Sequence, residues 1–227
     1  MNTIIIDCDP WNSLGNSVKN DIVNVVKYVK NTFDSGLYIV SDNCFDIGIS
    51  IKTKDFASKV NEIKKKSSTL FVIITGHGSQ INDTHGDEDD RLDEYIVIGK
   101  EMWTDDKLHD LFLTTNTYKF IGIVDTCHSG TMFDMIYEHR KGKKIFNKLW
   151  KPTIDTWTTD ARCISACSDN ETSVCDDNGG SLIQCLLSKG FIKDIVNEVN
   201  TDKIFDTVYE ELLPLGQHIV LQSNTIL

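Results

Sequence analysis

Two runs of apolar, largely β-branched residues limit what this chain can fold into. Thr69-Leu70-Phe71-Val72-Ile73-Ile74-Thr75 and Phe120-Ile121-Gly122-Ile123-Val124 are strand-length and bounded by polar residues. Runs of that form are buried strands. Both stop at residues that carry chemistry. The first opens into Gly76-His77-Gly78-Ser79, the second into Asp125-Thr126-Cys127-His128-Ser129-Gly130. Open α/β sheets keep their ligands at the carboxyl ends of strands. A cysteine at one such end and a histidine between glycines at another point to a nucleophile and its base.

The intervening sequence alternates strand and helix patterns. Thr3–Cys8 reads as a strand and Pro10–Asn20 as a polar loop. Asp21–Phe33 reads as a helix with apolar positions at Ile22, Val25, Val26, Val29 and Phe33, capped by Asn20. Leu37–Val40 is a further strand. Thr53 is placed to cap a helix bearing Phe56, Val60 and Ile63, and Thr104 one bearing Leu108, Leu111 and Phe112. Tyr95–Ile98 reads as a short strand. After a basic stretch from Arg140 to Lys151, read as an exposed loop, come a strand at Ala161–Ala166, a helix at Ser181–Leu187 ending near Gly190, a helix capped by Thr201, and a strand at His218–Leu221. This order predicts an α/β fold, a mostly parallel central sheet with helices on both faces. At 227 residues and 40% hydrophobic content, one domain over 1–227 is expected.

Composition narrows the partners. A formal charge of −11 and an isoelectric point near 4.9 disfavour nucleic acid, whose phosphates need basic surface, and favour basic substrates. The longest apolar runs are strand-sized, so no membrane span is expected, and the start, Met1 to Asp7, lacks a signal peptide's basic region. Seven cysteines without a CxxC pair read as free thiols in a reducing cytoplasm.

Cys8, Cys163, Cys167 and Cys185 lie in or beside apolar stretches and read as core packing. Cys127 stands apart, at a strand exit followed by polar and small residues. A thiolate nucleophile needs a base, and His77 is suited to that at neutral pH. Taken alone His77 would be an ordinary loop histidine, but its flanking glycines let backbone approach a substrate, and the N–H groups of Gly78 and Cys127 are candidates for an oxyanion hole. His128 is a poorer base, because neighbours on extended backbone diverge.

These motifs in this order, with Ile164-Ser165-Ala166-Cys167-Ser168-Asp169-Asn170-Glu171-Thr172-Ser173 and Gly179-Gly180, resemble the metacaspases, caspase-like cysteine peptidases. The resemblance covers most of the chain and implies a caspase-like three-layer sandwich. Its large-subunit-like part would be about 1–139, its linker 140–160 and its small-subunit-like part 161–227. It looks like a minimal, single-chain, monomeric form without a proline-rich or zinc-finger prodomain. The family usually has Tyr-Ser where this chain has Ile74-Thr75, a glycine within the motif that here reads Asp90-Arg91-Leu92-Asp93-Glu94, and a cysteine where Val18 stands.

The resemblance implies a Cys127/His77 dyad cutting protein or peptide substrates after Arg or Lys. Asp125 and Asp21, with Thr75, would line the pocket for the residue before the cut. Two carboxylates favour a cationic side chain. The plain alternative for Asp21 is an acid at a helix N-terminus. The resemblance also implies activating calcium held by Asp93, Asp105, Asp106 and Asp134, with Asp89 or Asp90 as substitutes for Asp93. All-oxygen ligands suit that ion. The plain alternatives are a solvated acidic loop over Gln80–Glu94 and a first-turn helix acid at Asp105. The basic stretch Arg140–Lys151, an exposed connector on the plain reading, is expected to be a self-cleavage site.

Overall fold

The computed structural model describes residues 1–43, 45–83, 90–114, 118–141, 143–146 and 160–224. In chain order the elements are β1 (Asn2–Cys8), α1 (Ser17–Thr32), β2 (Gly36–Val40), β3 (Ile49–Ile51), α2 (Phe56–Lys64), β4 (Thr69–Gly76), β5 (Gly78–Asn82), β6 (Leu92–Ile98), β7 (Glu101–Thr104), α3 (Asp105–Phe112), β8 (Lys119–Asp125), β9 (Tyr137–Arg140), β10 (Lys143–Phe146), β11 (Ala161–Ser165), β12 (Cys175–Asp176), β13 (Gly179–Gly180), α4 (Ser181–Lys189), α5 (Phe191–Val196), α6 (Thr201–Leu212) and β14 (Val220–Ser223). A nine-stranded sheet runs β10-β9-β14-β11-β8-β4-β1-β2-β3. The run from β11 to β3 is parallel, while β14, β9 and β10 add antiparallel strands at one edge.

The apolar runs explain this architecture. Successive strand side chains point to opposite faces, and here both faces are covered. Ile5, Phe71, Ile73, Ile121, Ile123 and Ile164 pack against Ile22, Val25 and Val29 of α1, Leu182 and Leu186 of α4, and Ile204 and Val208 of α6. Ile4, Ile6, Leu70, Val72, Ile74, Phe120 and Val124 pack on the other side against Phe56 and Val60 of α2 and Leu108 and Phe112 of α3. A strand flanked by helices on both faces has no polar face to show, so it reads as a continuous apolar run. The α/β three-layer sandwich expected from the sequence is the fold observed.

Several boundaries differ from expectation, each for a visible reason. The helix α1 starts at Ser17, so Asn20 lies within it and Asp21 is a buried second-turn residue rather than a first-turn acid. Thr53 donates its hydroxyl hydrogen bond to Asp42 Oδ2 at 2.7 Å and leads a short 3₁₀ turn ahead of α2. Thr201 starts α6 but makes no side-chain cap. Thr104 does cap α3, accepting from Lys107 N, and Gly190 ends α4 in the left-handed conformation. The last strand begins at Val220, not His218, because the His218 N–H and ring are both engaged with the Glu171 carboxylate. The loop expected from Gln80 to Glu94 is partly a sheet, with β5, β6 and β7 pairing antiparallel. The stretch expected to be loop from Arg140 contains the end of β9 and all of β10, paired antiparallel at the sheet edge. The six described cysteines are all free thiols, and no described helix is long and apolar enough to cross a membrane.

One face of the sheet is locked by aromatic rings. Phe120 and Phe133 have centroids 4.9 Å apart, Phe112 and Phe120 5.7 Å, and Phe112 and Phe133 5.9 Å, and all three are fully buried. Their packing fixes the base of the strand that leads to Cys127. The expected cost of Phe120→Ala is about 3–5 kcal/mol, from lost burial plus the cavity left among the rings. Urea unfolding checks this, and a cost below about 1 kcal/mol would mean that the cluster does not anchor β8.

Candidate active site

Strand register builds the site. In the parallel pairs β1·β4 and β4·β8, Asp7 lies level with Thr75, and Thr75 with Asp125. Adjacent strands are about 4.8 Å apart. Two residues beyond that common level, at the carboxyl ends of three neighbouring strands, come Asp9, His77 and Cys127.

The glycines around His77 have separate causes. Gly76 sits at φ 128°, and a Cβ there would lie 2.7 Å from the carbonyl carbon of Cys8. Only glycine adopts that conformation without strain. The chain then binds back, with His77 N–H donating to Cys8 O at 3.1 Å. At Gly78 a Cβ would stand 2.1 Å from Cys127 O. The absent side chain is what brings the start of β5 onto the backbone of the nucleophile segment.

Cys127 is partly exposed, and its thiol points to Ser173 O at 3.9 Å. Burial pushes its pKa up, the Ser173 contact partly offsets this, and the nearby Cys175 and Asp125 add to the rise. The resting sulfur is therefore a neutral thiol. Among the described residues no hydrogen bond joins it to His77, whose Nε2 lies 2.7 Å from Ser13 Oγ. His128 faces elsewhere: its N–H donates to Glu171 O at 3.0 Å and its Nδ1 to Asp169 O at 2.6 Å. With Thr131 N–H donating to Asp169 Oδ1 at 2.8 Å, these bonds stitch the turn after Cys127 to the Cys167–Glu171 segment.

The two expected pocket carboxylates come together. Asp125 is 4% exposed and accepts from Ser173 Oγ at 2.7 Å and Ile183 N at 2.9 Å. Asp21 is 1% exposed and accepts from Thr75 Oγ1 at 2.7 Å and Gly180 N at 3.0 Å. Gly180 passes between them, and a Cβ there would lie 2.3 Å from Asp125 Oδ2. Burial raises both carboxyl pKa values. For Asp21, burial and then the charge of Asp125 outweigh the Thr75 and Gly180 hydrogen bonds and push it to about 7.

Three of the four expected calcium ligands converge. The β6·β7 register sets Tyr95 against Thr104, which brings Asp93 beside Asp105 and Asp106 at the start of α3. Ligand oxygens from these three lie within 4.8 Å of one another. Asp105 is oriented by Glu94 N–H at 2.7 Å and Asp106 N–H at 2.8 Å. A purely carboxylate donor set fits a hard cation such as calcium. Asp134 is buried in the turn after Phe133 and lies outside that group, and Asp90 is exposed and also outside it. Asp89, Lys148 and Lys151 lie outside the described residues.

Sequence reasoning passed over Asp9 and Ser13. Their signal was a third strand exit, Asp7-Cys8-Asp9, of the same kind as the other two. It gave no role to Ser173 and Gly180, which it named only within the family-like segments, and passed over Ile183; the hydrogen bonds of these three fix the carboxylates.

Comparison with known proteins gives the family. Residues 20–136 match the metacaspase, peptidase C14 domain family. Metacaspase-1 of Plasmodium falciparum is 29% identical over 174 residues, 70% of this chain and 27% of that protein. Metacaspase III c of Phaeodactylum tricornutum is 30% identical over 132 residues, 53% of this chain and 39% of that protein. The chain thus aligns with well under half the length of these relatives. A crystal structure of a Geobacter sulfurreducens protein superposes with a TM-score of 0.58 at 16% identity, covering 93% of this chain and 89% of that one, a likeness of fold alone. With more than half of its length matched by that family, this chain belongs to the metacaspase family, peptidase C14.

Proposed function

We propose that this chain is a calcium-stimulated cysteine endopeptidase that cuts after Arg or Lys. The observation that carries the reading is the register of β4 and β8, which sets Thr75 level with Asp125 and so puts His77 and Cys127 each two residues past the same level. Cys127 gives its proton to His77 as sulfur attacks the scissile carbonyl carbon. The C–N bond then breaks, the imidazolium returns the proton to the leaving amine, and water cleaves the thioester. The Gly78 and Cys127 N–H groups are the candidates to hold the oxyanion.

Asp21 and Asp125 supply the preference for a cationic side chain. In the form described both are covered by the chain's own donors. A guanidinium reaches them only when the segment from Ser173 to Gly180 moves. This covered pocket and neutral thiol describe a latent enzyme. Asp93, Asp105 and Asp106 would hold calcium, which would supply positive charge beside Glu94, whose carboxylate accepts from Thr131 in the turn after Cys127. Self-cleavage falls within the remaining part of the 140–151 stretch, towards Lys148 and Lys151. Arg140 itself is held in β9 by Glu138, and Lys141 is paired with Glu210. The same latency favours a second reading, a caspase-like module that binds partners without cutting them.

A fluorogenic peptide ending in Arg separates the two. Hydrolysis is expected in millimolar calcium, near zero in chelator, reduced by at least about tenfold in Asp106→Ala and abolished in Cys127→Ala. A gel of the calcium-treated sample is expected to show a nick that Cys127→Ala lacks. No hydrolysis by folded protein in calcium would favour the binding module, and equal rates in chelator and calcium would remove the metal.

The pocket also sets a pH dependence. The Asp21 pKa in the folded protein, about 7, is raised above its ordinary value, so the carboxyl is mostly neutral below pH 7 and charged above it. Attraction for arginine therefore grows as pH rises through 7. The ratio of kcat/KM for an Arg-ended peptide to that for its neutral citrulline analogue is expected to rise between pH 6 and pH 8, since both substrates share the chemistry at Cys127 and His77. A flat ratio would mean that Asp21 does not meet the substrate.

A further inference from the structure

We infer that Asp9 and Ser13 are positioning residues for His77, a hydrogen-bonded relay that holds the ring in one tautomer. The inference rests on the peptidase reading of His77 as the base and adds two groups to its site.

The relay is continuous. Ser13 Oγ lies 2.7 Å from His77 Nε2 and 2.9 Å from Asp9 Oδ1. Asp9 Oδ1 is 3.7 Å from the same ring nitrogen, too far for a direct hydrogen bond, so the hydroxyl bridges the two. Asp9 is itself fixed. Oδ1 also accepts Ser13 N–H at 2.8 Å, Oδ2 accepts Leu14 N–H at 2.8 Å, and Asp9 N–H donates to Asp7 Oδ1 at 2.9 Å. The Asp9 side chain is 2% exposed and the His77 ring 40%, so the relay runs from the interior to the open site. Burial pushes the Asp9 carboxyl upward. The Leu14 and Ser13 N–H groups, the Ser13 hydroxyl and the nearby imidazole outweigh it, and the net shift is downward. Asp9 is a carboxylate at neutral pH.

That charge decides the proton positions. A serine hydroxyl has one proton and two acceptor lone pairs. Facing a carboxylate at 2.9 Å, it donates its hydrogen bond to Asp9. Its oxygen then accepts, and what lies 2.7 Å away must donate, so His77 carries its proton on Nε2. Nδ1 is left with the lone pair that takes the Cys127 proton. When the imidazolium forms, both nitrogens donate, and the buried negative charge of Asp9 stabilises it. An acid that orients a catalytic imidazole and balances its charge is a general device. Here a serine hydroxyl stands between the two, and the acid comes from the third strand of the same row.

Ser13 is exposed, so its replacement leaves the fold intact. In calcium, with the Arg-ended peptide, Ser13→Ala is expected to lower kcat by more than about fivefold with KM unchanged, Ser13→Thr to restore kcat by restoring the hydroxyl, and Asp9→Asn to lower kcat at least as far. Nitrogen NMR of His77 is expected to show the Nε2–H tautomer in the parent protein and a mixture in Ser13→Ala. A smaller kcat loss in Ser13→Ala, no rescue by threonine, or an unchanged tautomer overturns the relay. If the parent protein cleaves nothing, the peptidase reading fails by itself. The NMR comparison still decides the relay.

Discussion

The site depends on the parallel register of three central strands. Hydrogen bonds between β1, β4 and β8 place Asp7, Thr75 and Asp125 on one level. Each strand then ends, and the second residue past that level is an acid, a histidine and a cysteine in turn. A one-residue slip of a strand would turn its whole apolar set to the other face. The register is fixed because both faces are buried, one against α1, α4 and α6 and the other against α2 and α3. Packing energy spent far below the site thus holds the order Asp9, His77, Cys127 above it.

Placement alone does not make the nucleophile reactive. Burial keeps the Cys127 sulfur protonated, and the chain's own N–H and O–H groups occupy Asp21 and Asp125. Buried carboxylates left without donors carry a large desolvation penalty, so a pocket for a cation needs temporary partners while it is empty. On the proposed reading, Ser173 and Gly180 fill that role. They lie on a different part of the chain from the dyad, which makes movement of their segment a natural point of control.

Much of this was legible in the sequence because it rests on local patterns. Thr69–Thr75 and Phe120–Val124 announce doubly buried strands, and the residues that end them announce chemistry. The Thr104 cap and the Gly190 helix end follow from side-chain rules alone. What escaped was set by partners distant in sequence. Asn20 resembles a cap, yet α1 starts earlier, because Val18 has a place in the core as well as Ile22. Thr53 resembles a cap too, but its hydroxyl donates to Asp42 instead. Asp9 and Ser13 lie in a segment that reads as a polar loop, and only the pairing of β1 with β4 brings that segment to His77. The edge strands β9 and β10 are short and polar, and β9 becomes a strand by pairing with β14.

On the proposed mechanism, strand register makes Cys127 the reactive thiol and His77 its partner. Covalent trapping tests it most directly. A peptidyl acyloxymethyl ketone ending in Arg loses its carboxylate when a thiolate attacks, and leaves a stable thioether. After treatment in calcium, peptide mapping by mass spectrometry is expected to find one adduct, on Cys127, and to find it lost in a folded His77→Ala protein. An adduct on the exposed Cys175 instead, or labelling of Cys127 at the same rate without His77, would contradict the account.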